Sequence, residues 1–363
     1  MKKTITITFS LLATFLLQAT IRTVSNVPST LAQYNTIQAA VDASNNGDTV
    51  YVHGSPNTYS SFTINNKKIT VIGPGWSPDK NLPFNAIVPG MTLTGASAAG
   101  TEIQGLVITS TIDVNTTHPD NLRFIRNYFT GGQLLYVAQG STTYIGYLFE
   151  GNIFDNSYMQ ATSSSTYQNF LFQNNYFYNS GCCVGSHIYQ FVNTVNVLFN
   201  HNLFFGPSSG VRNIFEQNCR FLTLTNNIFV RMDPGYQNSF STFNNNITYY
   251  PAGSTPPSDA WTVNSNVNSG GNVSNQDPQM AAQSSVNAGT NNGLADYTIA
   301  AGPANNSGSD GKDMGLLYDA TGSLNWTTSR TSRLPFIYSM NITNPTIPQA
   351  GTLNVQVEAR KNN

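Results

Sequence analysis

The sequence has few charged residues. Asp, Glu, Lys and Arg make up 9% of its 363 residues, against about 25% in typical soluble proteins. The formal net charge is −1, so the chain lacks the basic surface that nucleic acids or anionic lipids attract. Aromatic residues reach 12%, which gives the chain much surface to bury and argues against disorder. We therefore expect a folded protein with no nucleic-acid partner.

Cysteine is also scarce. Cys182, Cys183 and Cys219 match no zinc or redox motif, and no paired His residues accompany them. One pair could form a disulfide in an oxidising compartment and leave one thiol over. We favour the alternative that they are small buried side chains.

Long apolar runs are confined to the N terminus. Lys2 and Lys3 precede an apolar run over residues 5–17 that ends near Ala19, as in a secretory signal peptide. The run is too short for a membrane span, although it could instead be a first strand of the fold. We interpret residues 1–19 as a signal peptide, and we expect a secreted protein, extracellular or periplasmic, with no membrane span.

A repeat with a period in the twenties occupies the middle of the chain. Each copy has two alternating apolar residues, a polar pair that ends in Asn, and an apolar residue that is usually followed by Phe. The Asn residues are Asn127, Asn152, Asn175, Asn202 and Asn227, with a weaker copy at Asn246. From one to the next, the sequence number rises by 25, 23, 27, 25 and 19. A period of this length with strand-like alternation indicates a solenoid.

The repeats favour a parallel β-helix over leucine-rich repeats, because they lack Leu at fixed spacings and a helical half. They offer short strands rich in Phe, Tyr, Val and Ile between Asn, Gly and Ser turns. Phe129, Phe154, Phe177, Phe204 and Phe229 are expected to form an internal column. We expect Phe177→Ala to cost about 3 to 5 kcal/mol and Asn175→Ala about 1 to 3 kcal/mol.

The recurrent Asn has a structural explanation. Asn tolerates the left-handed backbone conformation that a sharp corner requires. Stacked about 4.8 Å apart, Asn amides can bond to one another and to corner backbone groups. We predict a structural row rather than a ligand site.

The N-terminal part of the chain resembles the cap and first coil of the pectate-lyase-like right-handed β-helix superfamily. The matching segments are 36–40 (Thr-Ile-Gln-Ala-Ala), 47–52 (Gly-Asp-Thr-Val-Tyr-Val) and 69–73 (Ile-Thr-Val-Ile-Gly). Farther along the chain, the sequence resembles the C-terminal coil signature of many secreted bacterial members of the superfamily. That resemblance lies at residues 277–278, 296–299, 302–304 and 313–315. The resemblance implies an all-β, right-handed parallel β-helix over residues 34–315 that begins with a short capping helix. We assign residues 20–33 to a leader segment, 251–311 to looser late coils, and 316–363 to a C-terminal β tail that packs on or caps the solenoid. The superfamily includes lyases, hydrolases and members without known activity, so the resemblance does not imply one activity.

Catalytic groups of such enzymes are sparse here. Hydrolases need two carboxyls about 5 to 9.5 Å apart, but the only acids in residues 121–250 are Glu150, Asp155, Glu216 and Asp233, and none recurs one period from another. The motifs of the polygalacturonases, which the resemblance leads us to look for, are missing. Lyases of the superfamily use an Arg or Lys base, and no Lys occurs between Lys80 and Lys312. Calcium is conceivable as a cofactor, but the sparse acids do not support a site, and we expect no cofactor.

One cluster of candidate catalytic residues follows from spacing. His187 and Arg212 lie one repeat period apart in the sequence, so they are expected to stack on adjacent coils, with Glu216 soon after on the same face. A His, an Arg and a carboxylate could bind or deprotonate an acidic sugar, with His187 as the base. The alternative is that all three are solvent-facing polar residues.

A second polar row precedes each repeated Asn by two residues. Its members are Glu150, Gln173, Asn200, Thr225 and Asn244, with Ile125 interrupting it at one end. On an outer face these side chains could hydrogen-bond an extended glycan, and Tyr136, Tyr144, Tyr147 and Tyr189 could supply stacking surfaces. The alternative is an ordinary solvated sheet face.

The sequence therefore favours a secreted, non-catalytic β-helix that binds an extracellular polysaccharide or serves as a surface or structural module. The competing hypothesis is a polysaccharide lyase acting on an acidic, uronic-acid-containing glycan.

Overall fold

A computed structural model describes residues 19–78, 82–114, 117–136, 140–180, 187–251, 253–257, 259–318, 325–329, 335–342, 352 and 355–361. The predicted signal peptide, apart from Ala19, lies outside these described residues. Cys182 and Cys183 also lie outside them, so the structure describes Cys219 alone of the three cysteines.

Two long parallel sheets form the body of the described chain. Sheet 1 has eleven strands, in the order Ile21–Val24, Thr49–Val52, Thr70–Ile72, Glu102–Gln104, Arg123–Ile125, Leu148–Glu150, Leu171–Gln173, Val197–Asn200, Leu222–Thr225, Thr242–Asn244 and Val267–Asn268. Sheet 2 has a main path of Phe62–Asn65, Met91–Thr94, Ile112–Val114, Tyr128–Tyr136, Ile153–Gln160, Tyr176–Tyr178, Leu203–Phe205, Ile228–Val230 and Ile247–Tyr249. The side strands of sheet 2 are Ile87–Val88, Val107–Ile108, Ile188–Tyr189 and Phe215–Glu216.

Each strand pairs with the strand one coil away, and the chain alternates between the two sheets. This order produces a right-handed parallel β-helix of about nine coils, as the resemblance to the pectate-lyase-like superfamily implies. The predicted fold class is therefore confirmed.

Smaller elements complete the description. A third parallel sheet contains Thr143–Ile145, Thr166–Gln168 and Asn193–Val195. Two-stranded parallel pairs join Arg212–Asn213 to Met232–Asp233 and Cys219–Arg220 to Asn238–Ser239. The helices of the described residues are Ile37–Ala43, Gln283–Ala288 and Trp326–Ser329, with 3₁₀ turns at Ala96–Ala98 and Val263–Ser265. Near the C terminus, Pro335–Ile342 pairs antiparallel with Val355–Lys361.

The N-terminal helix lies where the sequence places it, with Thr36 as its N-cap. Its apolar side, including Ile37 and Val41, is buried in the core of the first coil, so the helix covers an end that no further coil covers. The strand Ile21–Val24 pairs in parallel with Thr49–Val52. Residues 20–33, expected to be a leader, thus contribute the first strand of sheet 1.

Stacked aromatic rings fill the solenoid. Phe177 is fully buried, and its ring lies 4.5 Å from that of Phe154 and 4.6 Å from that of Phe204. A second column, which the sequence analysis does not identify, contains Phe124, Phe149, Phe172 and Phe199. Both columns arise because alternate strand residues point inward and every coil repeats the same inward position.

The repeated Asn residues form a buried chain of hydrogen bonds. The Asn175 amide nitrogen donates to Asn202 Oδ1 at 3.0 Å and to the Phe149 carbonyl at 3.0 Å. Asn175 Oδ1 accepts from the backbone N–H and the side-chain amide of Asn152, at 2.9 and 3.0 Å. The same side-chain bond recurs from Asn127 to Asn272, so the row continues one coil beyond Asn246.

The left-handed residue of each corner is the one before the ladder Asn. Positive φ angles occur at Asn174 (54°), His201 (53°) and Asn226 (60°), and not at Asn175 or its equivalents. The expectation that the ladder Asn itself adopts the left-handed conformation is therefore wrong. The preceding residue makes the turn, and the ladder Asn satisfies the backbone groups that the turn leaves unpaired.

The coils end earlier than the sequence suggests. The last strand of sheet 1 is Val267–Asn268, and Trp261 covers the end of the core by packing on Phe229 and Phe243. Residues 280–318, here named the strap, do not form coils. The strap lies against the outer side of sheet 2, where its apolar residues join a second buried cluster with those of the sheet. This cover explains why strands such as Tyr176–Tyr178 and Leu203–Phe205 are buried on both faces.

Candidate functional site

The outer face of sheet 1 carries the predicted polar row. Strand register aligns Ile125, Glu150, Gln173, Asn200, Thr225 and Asn244 on successive coils. Glu150 is 7% exposed, whereas Gln173, Asn200, Thr225 and Asn244 are half-buried. The row is thus continuous along the solenoid axis, and its coils repeat at the spacing of about 4.8 Å between neighbouring strands.

Hydrogen bonds within this surface fix some of the side chains. Gln173 Nε2 donates to Glu150 Oε2 at 2.7 Å. Asn226, at the corner beside the row, donates its amide to Asn200 Oδ1 at 3.0 Å. These contacts orient the side chains of Glu150, Gln173 and Asn200 on the face.

An aliphatic row runs beside the polar one. Leu148, Leu171 and Leu198 are aligned by the same register, two residues before Glu150, Gln173 and Asn200, and they are half-buried. Sugars present both hydroxyl groups and apolar C–H faces. A strip that combines amides with aliphatic side chains therefore matches the surface of an extended glycan. This aliphatic row was not among the features predicted from the sequence, although the same two-residue alternation accounts for it.

The strap borders this face along the left-handed corner. Asn174 Oδ1 accepts the backbone N–H of Leu317 at 2.8 Å, and the Asn245 side-chain amide donates to the Ser307 carbonyl at 2.8 Å. The corner residues that hold the strap are Asn174, His201, Asn226 and Asn245. Sequence reasoning did not identify this role, because their partners lie far along the chain and follow no repeat.

His201 is a central contact of this corner. Its Nδ1 lies 3.2 Å from the Gly315 carbonyl, and its Nε2 lies 3.1 Å from Asp310 Oδ2. Burial lowers the pKa of His201, and the neighbouring Asp310 carboxylate opposes that effect. The residue therefore joins two parts of the strap to the solenoid.

The expected cluster of His187, Arg212 and Glu216 does not assemble. Ile188 pairs with Phe215, and the His187 N–H donates to the Ile214 carbonyl. The prediction that His187 stacks on Arg212 is therefore wrong. At this point one coil contains more residues than the interval from His187 to Arg212. The two residues therefore do not occupy equivalent positions in the strand register.

The three side chains also have different surroundings. His187 is 2% exposed, its ring packs edge-on against Phe177, and its Nδ1 is 2.9 Å from the Ser157 carbonyl. Burial lowers the pKa of His187 to about 4, so the imidazole is neutral and enclosed. The Arg212 guanidinium donates to the Ser180 carbonyl at 3.4 Å, and Glu216 is half-buried on a strand that pairs with Ile188–Tyr189.

The expected aromatic surfaces are also partly internal. Tyr144 and Tyr147 are fully buried in the solenoid, so neither can stack on a ligand, whereas Tyr189 is half-buried at the outer side of its strand. The side chain of Tyr136 lies outside the described residues.

The described residues contain no group of three or more His, Cys, Asp or Glu side chains placed to hold a metal ion. Cys219 is buried with its thiol free, and burial raises its pKa to about 12. In the described part of the chain, no helix combines the length and the apolar character needed to cross a bilayer.

Comparisons with known proteins give little beyond this geometry. No family model matches the chain, and no curated protein matches it. Among solved structures, the chain is similar to the pectin methylesterase from Aspergillus niger in its deglycosylated form. The identity is 17%, the match covers 68% of this chain and 93% of that chain, and the TM-score is 0.29. The assignment of the fold therefore rests on the strand topology itself.

Proposed function

We propose that this protein, a right-handed parallel β-helix similar to those of the pectate-lyase-like superfamily, is a secreted, non-catalytic glycan-binding solenoid. Its ligand lies along the outer face of sheet 1 and contacts Glu150, Gln173, Asn200, Thr225 and Asn244. The observation that carries the proposal is the strict register of this row beside an aliphatic row. A repeating surface suits a repeating ligand, because each coil can offer the same contacts to successive parts of a polysaccharide.

Export is part of the proposal. The sequence of residues 1–19 supports it, and so does the position of the first strand. Cleavage after Ala19 leaves Ile21–Val24 intact, and this strand is hydrogen-bonded to Thr49–Val52. The mass of the protein recovered from the medium or periplasm measures the cleavage site directly. Recovery of the uncleaved chain from the cytoplasm alone would contradict export.

A glycan-array screen tests the binding function, with an absorbance assay for unsaturated products on acidic polysaccharides in parallel. We expect binding without turnover. Accumulation of unsaturated product would contradict the non-catalytic function and support the competing hypothesis, a polysaccharide lyase. Absence of both binding and turnover across neutral and acidic glycans would reject the glycan-binding function.

A double variant locates the binding surface. Gln173→Ala with Thr225→Ala removes polar groups from two coils of the row, and we expect it to weaken binding at least tenfold. Thr143→Ala is the matched control, because Thr143 is exposed on the third sheet, away from the row. Equal binding by the double variant and the control would place the ligand elsewhere.

A further inference from the structure

Two exposed phenylalanines lie side by side at the corner that leads into the late strands of sheet 1. Phe221 is 49% exposed and Phe240 is 46% exposed. Their rings stack with centroids 5.6 Å apart. They precede the strands Leu222–Thr225 and Thr242–Asn244 at equivalent positions of the register, so the pair follows the solenoid axis.

Both residues have a backbone conformation that bulky side chains rarely adopt. The φ angle is +56° at Phe221 and +53° at Phe240. In the two preceding coils, the same corner position holds Asn169 and Asn196, at +57° and +54°. Asn adopts this conformation readily, whereas a β-carbon with a bulky ring makes it costly. Asn would therefore fit these two corners with less backbone strain than Phe, and a bulky residue held in this conformation motivates a search for a function there.

Arg220 provides a positive charge beside the rings. Its guanidinium carbon lies 5.2 Å from the centre of the Phe221 ring and 4.8 Å from that of Phe240. Among the described residues, no carboxylate lies within ion-pair distance of Arg220, and its Nε is buried without a hydrogen-bond partner. The cation is thus held in place by aromatic rings and not neutralised by an acid.

A cleft of about 470 Å³ opens next to this group. Its lining is mostly polar and includes no acidic side chain among the described residues: Ser163, Gln190, Val192, Gln217, Asn218, Arg220 and Ser239. Gln190 Nε2 donates to Gln217 Oε1 at 3.2 Å, which makes a short row of amides across two coils. The cleft therefore combines hydrogen-bonding groups with a single positive charge.

We propose that Arg220, Phe221 and Phe240, with the adjoining cleft, form a binding site for a sugar that carries an acidic group. Arg220 pairs with the carboxylate or sulfate of the ligand. The exposed faces of the two rings pack against the apolar face of a sugar ring, and the amides of Gln190, Gln217 and Asn218 bond its hydroxyl groups. This corner site is distinct from the polar row of sheet 1, so either can fail without the other.

The experiment is calorimetric titration of the full-length protein with three probes: tetragalacturonate, its methyl ester, and a sulfated tetrasaccharide of similar length. We expect Arg220→Gln to weaken binding of the charged probes at least tenfold and to leave the methyl ester unaffected. Phe221→Asn is expected to weaken all three probes while its melting temperature stays equal or rises, because Asn suits the left-handed corner. A purely structural Phe221 would show the opposite, a lower melting temperature with unchanged binding.

Lys68→Gln is the control, because it removes an exposed cation that precedes the early strand Thr70–Ile72 and lies away from the polar row. Preference for tetragalacturonate identifies a carboxylate ligand, and preference for the sulfated probe identifies a sulfate ester; either supports the site. Equal loss of binding in Arg220→Gln and Lys68→Gln, or no binding of any probe by the parent protein, overturns it. If the double variant Gln173→Ala with Thr225→Ala loses binding of the charged probes while Arg220→Gln retains it, the probes bind the polar row, and the corner site is rejected.

Discussion

The neutral state of His187 is a consequence of its position inside the solenoid. The imidazole lies between the Phe177 ring and the Ser157 carbonyl, and its Nε2 has no hydrogen-bond partner. Protonation would place a charge on a group that water cannot reach, so the charged form is disfavoured. A residue selected from the sequence as a candidate base is therefore a packing residue in the structure.

We predict that this histidine makes the protein sensitive to mild acid. The pKa of His187 is about 4 in the folded protein, against an ordinary value of 6.5, so the unfolded chain binds the proton more readily. The full stability is then present above about pH 6.5 and falls as the pH drops toward 4, by about 3 kcal/mol from this residue. Urea unfolding at a series of pH values measures the effect. His187→Gln is expected to flatten the profile between pH 4 and 6.5, and an unchanged slope would show that His187 is not the source.

Two neighbouring asparagines differ in whether their roles can be predicted from the sequence. Asn174 and Asn175 are adjacent and chemically identical, yet Asn174 makes the left-handed turn and holds the strap, while Asn175 belongs to the buried ladder. The repeat in the sequence identifies the ladder position, because it recurs at every coil. The role of Asn174 depends on Leu317, 143 residues away, and no local pattern encodes that contact.

Among the elements, the amide ladder and the Phe column can be compared directly in one coil. Asn175 takes part in four side-chain hydrogen bonds that link three coils, and a buried group that loses its partner costs about 1 to 3 kcal/mol. Phe177 contributes packing alone, although it contacts rings on both sides. From these contacts we expect the Asn to contribute at least as much as the Phe, against the sequence-based expectation that it contributes less.

We accordingly predict that Asn175→Ala destabilises the protein at least as much as Phe177→Ala. The expected loss is about 3 to 5 kcal/mol for the Phe variant and at least as much for the Asn variant, because more than one buried group then lacks a partner, at about 1 to 3 kcal/mol each. Denaturant unfolding of both variants measures the free energies. Asn244→Ala serves as the control, because Asn244 is half-buried on the outer face, and its loss is expected below about 1 kcal/mol. A smaller loss for Asn175→Ala than for the control would show that the ladder does not stabilise the coils.

Strands and columns were predictable because they recur, whereas elements outside the repeat were not. Coil lengths vary, so a fixed period misaligned His187 with Arg212, although the neighbouring Ile188 pairs with Phe215. The strap contains apolar residues such as Tyr297, Ile299 and Leu316, but they follow neither a strand nor a helix period. Their positions are set by the outer face of sheet 2, which the sequence of the strap does not describe.

For the whole molecule, the strap is the main departure from a simple stack of repeats. Arg231, only 1% exposed, donates its guanidinium to the carbonyls of Val286 and Asn287. Trp326, fully buried, donates its indole N–H to the Gly293 carbonyl and packs near Trp76. Contacts therefore connect the C-terminal segment with both late and early coils.

We predict that Arg231→Met loosens the strap without unfolding the coils. Met preserves much of the buried volume but cannot donate to the two carbonyls, so residues 280–318 should become the first site of cleavage in limited proteolysis. Circular dichroism is expected to retain the strand signal. Arg123→Met is the control, because the Arg123 side chain is 42% exposed. Cleavage of the solenoid and the strap at equal rates would contradict a separate role for the Arg231 contacts.

The strap also sets the order in which the protein can be completed. Synthesis delivers the N-terminal end first, so the coils that end at Val267–Asn268 emerge before residues 280–318. Until those residues arrive, sheet 2 presents an apolar stripe formed by Ile153, Tyr176, Leu203 and Ile228. An uncovered stripe of this kind is open to association with other chains. A chain interrupted between residues 268 and 280 would thus possess nearly all of its coils, yet its exposed apolar stripe would make it prone to self-association.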